Sequence, residues 1–112
     1  MTVMVIEDHK DSLELIRLML ETSNFAVQQC RDREQAVKVL SIAVPDIIIM
    51  HMTMAGMPLP RFVAHIRALA GSIRIILMSG DETGHDVARV NTLVWLPKPF
   101  NLAQLVSAIE GK

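Results

Sequence analysis

The chain has 112 residues, 51% of them hydrophobic and 21% charged, with 11 Lys and Arg against 12 Asp and Glu. That length allows one domain, here residues 1–112, with one real core, and the composition excludes a disordered tail. A net charge of −1 without a basic run argues against electrostatic capture by nucleic acid or by an anionic membrane.

The N-terminus, Met-Thr-Val-Met-Val-Ile-Glu-Asp, lacks the basic start of a signal peptide, and no apolar run approaches the length of a membrane span. The single cysteine, Cys30, has no partner for an internal disulfide and fits a reducing compartment, so a cytoplasmic, soluble domain is expected. Eight Met against four aromatics point to a soft core or an adaptable surface.

Taken in chain order, short apolar runs at Thr2–Ile6, Phe25–Cys30, Asp46–Met50, Ile73–Met78 and Leu93–Leu96 read as strands, several of them covered on both faces. Helical patterns fill the intervals. Asp11 with Glu14, Asp32 with Gln35 and Asn101 with Gln104 have capping-box spacing. Apolar stripes follow at Ala36, Val37, Leu40 and Ala43, at Phe62, Val63, Ile66 and Leu69, and at Leu102, Leu105, Val106 and Ile109. The helix after Asp81 is the poorest, with Gly84 near its start and only Val87, Ala88 and Val90 to bury. Loops fall at Ser23-Asn24, Val44-Pro45, Ala55 to Pro60, Gly71-Ser72, Gly80-Asp81 and Lys98-Pro99. Five strand-helix units predict an α/β, doubly wound parallel sheet with helices on both faces.

In such sheets, sites form beyond the carboxyl ends of the strands, near the switch point. The residues at those ends are Glu7 and Asp8, His51, Ser79 and Lys98. Singly, each is an ordinary loop or turn residue. Together, at the ends of four different strands, they bring two acids, an imidazole, a hydroxyl and an ammonium to one sheet edge.

Along nearly its whole length the chain resembles the receiver domain of bacterial two-component response regulators, of the chemotaxis-regulator type. Val3 to Asp8 looks like the family's first strand with its acidic pair, and Pro45 to Met50 like its third. Met54-Ala55-Gly56-Met57 is similar to the loop that follows. Ile76 to Gly80 looks like the fourth strand with its Ser/Thr switch residue, and Trp95 to Phe100 like the aromatic, Lys and Pro near the end. The resemblance implies a flavodoxin-like fold of strand order 2-1-3-4-5. It also implies a phosphorelay role in signal transduction with a histidine kinase or other signalling protein as partner. Carried over by residue, Glu7 and Asp8 match the Mg²⁺ acids, Ser79 and Trp95 the switch pair, Lys98 the phosphoryl contact, and Pro99 a cis-proline.

The acceptor does not carry over: its position holds His51. An imidazole cannot form an acyl phosphate and is a poor ligand for Mg²⁺, which wants oxygen. Mg²⁺ binding is therefore expected to be weak or absent, with Lys98 balanced by Glu7 and Asp8, and His51 able to pair with Asp8. Two further departures are a fourth helix shorter by about one turn, ~3.6 residues, and a stiff Pro58-Leu59-Pro60 loop. The favoured expectation is an atypical receiver acting by protein–protein interaction. An alternative is a transition-metal site of His51, Asp8 and Glu7, with His9 nearby; His65 and His85 are expected on solvent faces. No nucleophile elbow, Walker loop or dinucleotide fingerprint is present, so an enzyme is not expected. A homodimer through the fourth helix, fifth strand and fifth helix is the expected association.

Overall fold

The structure, a computed structural model, describes residues 1–111. Five strands, β1 (Thr2–Ile6), β2 (Ala26–Cys30), β3 (Ile47–His51), β4 (Arg74–Ser79) and β5 (Val94–Pro97), alternate with five helices. These are α1 (Lys10–Thr22), α2 (Arg33–Leu40), α3 (Leu59–Leu69), α4 (Thr83–Val90) and α5 (Leu102–Glu110). All strand pairs are parallel and the order is β2-β1-β3-β4-β5, as expected. Among the described residues, no helix is long and apolar enough to cross a membrane.

The two-residue strand period sorts the core into two layers. Met4, Ile6, Ile48, Met50, Ile75 and Leu77 meet Ala36, Leu40, Phe62, Val63, Ile66 and Ala88 from α2, α3 and α4. Val3, Val5, Ile47, Ile49, Ile76 and Met78 meet Leu13, Ile16, Leu20, Leu105 and Ile109 from α1 and α5. Each fully buried Leu or Ile contributes about 1.5–3 kcal/mol. β1, β3 and β4 are covered on both sides, which explains their unbroken apolar runs, whereas edge strand β2 is half exposed. Methionines serve the interior: Met4, Met50 and Met78 are fully buried.

Several local expectations need correction. The cap of α1 is His9, whose ring accepts from the Ser12 amide, so Asp11 and Glu14 form no capping box and Asp11 sits in the first turn. Glu14 instead bonds Arg17, which lowers its pKa. Asp32 does cap α2, but Gln35 reaches back to the Arg31 amide; Asn101 and Gln104 make the full reciprocal box. α2 ends at Leu40, leaving Ala43 exposed. Leu69 and Leu102 are also exposed, and Val90, expected in the core, is 72% exposed at the end of α4. Pro58-Leu59-Pro60 is not all loop: Pro58 caps α3, and Pro60 lies in its first turn, where a missing amide costs nothing. The eight residues of α4 agree with the short helix expected.

Candidate functional site

The strand order reverses between β1 and β3, and in such sheets sites form beyond the carboxyl ends of the strands at this switch point. Ladder-like bonds extend past the strands and fix the backbone there. Glu7 donates its amide to Cys30 (3.0 Å), Met52 to Met78 (2.9 Å) and Lys98 to Ser79 (2.8 Å). The Lys98–Pro99 peptide is cis, as the resemblance implied.

Three of the expected residues converge. Lys98 Nζ lies 3.0 Å from His51 Nδ1 and 3.8 Å from Glu7 Oε1. The same His51 nitrogen lies 2.9 Å from Glu7 Oε2. Glu7 is 1% exposed, while the His51 and Lys98 side chains are each about a quarter exposed. Burial makes a lone carboxylate costly, and the ammonium beside it offsets that cost. The contact to Oε2 is close but not aligned as a hydrogen bond, so Oε2 remains without an aligned donor.

Asp8 is not part of this group. It is exposed beyond β1, and the His51 partner is Glu7, not Asp8 as expected. The reason is geometric: adjacent residues leaving a strand point to opposite sides, and Glu7 takes the inward one. His9 caps α1. Among the described residues, no three His, Cys, Asp or Glu side chains gather as a metal-binding group, so the transition-metal alternative has no support. The donors suit Mg²⁺ equally badly, because the buried carboxylate already faces an ammonium and an imidazole offers no oxygen.

Ser79 ends β4 and is 2% exposed, but its hydroxyl turns into the next turn, donating to the Asp81 carbonyl (2.9 Å) and accepting from the Asp81 amide (3.0 Å). Trp95 lies on β5 opposite Leu77, and its indole meets the exposed His85 ring edge-on, with centroids 5.3 Å apart. The indole N–H is buried without a partner. Both Ser79 and Trp95 press on Gly84: a Cβ there would lie 2.6 Å from Ser79 Cβ and 2.8 Å from Trp95 Nε1. Gly84 is thus the close-approach point between α4 and the Ser79 and Trp95 side chains, a role hidden when it is read only as a poor helix former.

One contributor was missed in the sequence. Arg33, at the start of α2, is buried and reaches the loop after His51; burial lowers its pKa, and nearby Glu34 opposes the shift. No periodicity marks it, because an arginine on a helix reads as solvent-facing.

The response regulator receiver domain model matches residues 3–110 of this chain. Among curated relatives, the transcriptional regulatory protein PrrA of Mycobacterium leprae is 27% identical over 112 residues, which cover 97% of this chain and 48% of the relative. The chain spans about half the length of the curated relatives it matches. Among solved structures, the chemotaxis response regulator CheY4 of Vibrio cholerae has a TM-score of 0.87 at 20% identity, covering 98% of this chain and 96% of that one. The response regulator TrrA of Thermotoga maritima, solved in complex with Mg(2+)-BeF, has a TM-score of 0.86 at 20% identity, with 98% and 96% covered. At such identities the structural likeness speaks for the fold.

Proposed function

We propose, for a chain that belongs to the response regulator receiver domain family, a receiver that serves two-component signalling through protein contacts rather than through a phosphoryl group at position 51. The observation that carries this reading is the 3.0 Å contact between Lys98 Nζ and His51 Nδ1. In the family pattern that Lys contacts phosphoryl oxygens; here its ammonium is occupied by the imidazole and the Glu7 carboxylate. His51 presents no carboxylate oxygen to attack phosphorus, and Glu7 is spent on neutralising Lys98 within the site. The charges of Glu7 and Lys98 balance at the switch point without a metal or a phosphoryl group. The partner is a histidine kinase or another signalling protein of the cytoplasm, and the domain itself is not an enzyme.

A homodimer through α4, β5 and α5 accompanies this reading. A groove of about 530 Å³ runs along β5 and α5, lined by Trp95, Leu96, Ala103 and Ala108 among others. Its small side chains allow a second copy to approach closely.

The test is mass spectrometry after exposure to acetyl phosphate and Mg²⁺, at a pH that preserves phosphohistidine. The expected result is no adduct on the chain as it stands and Mg²⁺-dependent labelling of the His51→Asp variant. An adduct on the His51 form would overturn the reading.

A further inference from the structure

The described residues bury three polar or charged side chains: Glu7, Ser79 and Arg33. The first two belong to the strand ends. Arg33 stands on α2, is 2% exposed and has no ion-pair partner among the described contacts, yet a buried guanidinium is costly unless its donors are used. Its donors are used on backbone. Nη2 donates to the Met52 carbonyl (3.0 Å) and Nη1 to the Met57 carbonyl (2.8 Å), while Nε is left without a partner.

Its neighbour completes the grip. Glu34 Oε accepts from the Met57 amide at 2.6 Å, so both backbone groups of Met57 are held from α2. Gly56 turns with φ +94, and a Cβ there would lie 2.5 Å from the same Glu34 carboxylate. Met52 is held on both sides as well, its amide by the Met78 carbonyl (2.9 Å) and its carbonyl by Arg33. Met52 directly follows His51.

We infer that Arg33 and Glu34 form a strap from α2 that closes the 52–57 loop, and that Arg33, through the Met52 carbonyl, positions His51 against Lys98 and Glu7. The planar fork of the guanidinium is what lets one side chain bridge two carbonyls five residues apart; an ammonium is a point donor and reaches one of them. Arg33 is a positioning residue: it touches none of the site's ionisable groups and acts through the backbone that carries His51. The inference stands on this geometry and is independent of whether the site takes a phosphoryl group.

Hydrogen exchange and ¹⁵N NMR of the His51 ring test it. Arg33→Ala should speed exchange of the Met57 amide by about tenfold or more while strand amides keep their protection. It should also move the His51 Nδ1 resonance toward that of a free imidazole. Arg33→Lys should restore only part of both, and Glu34→Ala should release the Met57 amide while leaving the His51 signal near its native position. Should Arg33→Ala fail to fold, Arg33→Gln keeps an aliphatic stem and one donor and is read in the same way. A folded Arg33→Ala or Arg33→Gln variant whose His51 resonance does not move overturns the inference, whatever its loop exchange.

Discussion

His51 and Glu7 approach to 2.9 Å through a ring nitrogen that also faces Lys98 at 3.0 Å. One imidazole nitrogen either accepts from the ammonium or donates to the carboxylate. The geometrically aligned contact is the one to Lys98, and Glu7 Oε2 has no aligned donor. Lys98 thus compensates the buried acid both directly and across the imidazole.

Removing Lys98 should therefore strand Glu7. Breaking a buried pair costs about 3–5 kcal/mol, and the partial exposure of Lys98 brings the expected cost of Lys98→Met down to roughly 2–3 kcal/mol. Glu7→Gln in the same chain should recover most of that loss. A double-mutant cycle by chemical denaturation measures the coupling, expected at about 1 kcal/mol or more; strict additivity would show that the pair is inert.

Gly84 sets the seat of α4. A methyl group there would collide with Ser79 and Trp95, so Gly84→Ala should destabilise by about 1–3 kcal/mol despite its better helix propensity. Trp95 is the single tryptophan and the chain has no tyrosine, which makes fluorescence a direct reporter. The emission should shift to the red and become easier to quench as the indole is pushed outward. An unchanged spectrum with raised stability would refute the close-packing account.

Cys30 is fully buried, and burial, with a smaller push from Asp32, raises its thiol from 9.0 to about 11. At neutral pH it should resist thiol reagents in the native state and react once denaturant is added. Because the folded value lies above the unfolded one, the associated stability is complete below pH 9.0 and is lost as the pH rises toward about 11. That loss amounts to roughly 2–3 kcal/mol. The difference between the stability–pH curves of the native chain and Cys30→Ala should show this fall.

Association through α4, β5 and α5 should appear as a concentration-dependent sedimentation coefficient. Ala103 is exposed and lines the β5–α5 groove. Ala103→Glu places a charge against its symmetry mate or its neighbours in a dimer and should return the chain to a monomer without loss of stability. A native chain that stays monomeric at high concentration would exclude the dimer.

The parallel sheet and the placing of Glu7, His51, Ser79 and Lys98 at strand ends are legible in the residues, because a period of two, apolar runs and right-handed crossovers are local or topological rules, while the strand order came from the family resemblance. Tertiary structure alone decided which of these groups touch. The side on which Glu7 leaves β1 makes it, rather than Asp8, the partner of His51. The Asp81 turn draws the Ser79 hydroxyl away. The loop carbonyls of Met52 and Met57 draw Arg33 inward, where no helical pattern places an arginine. Each of these contacts joins residues through the folded backbone, and its energy depends on direction and desolvation over a few ångströms, which linear spacing does not encode.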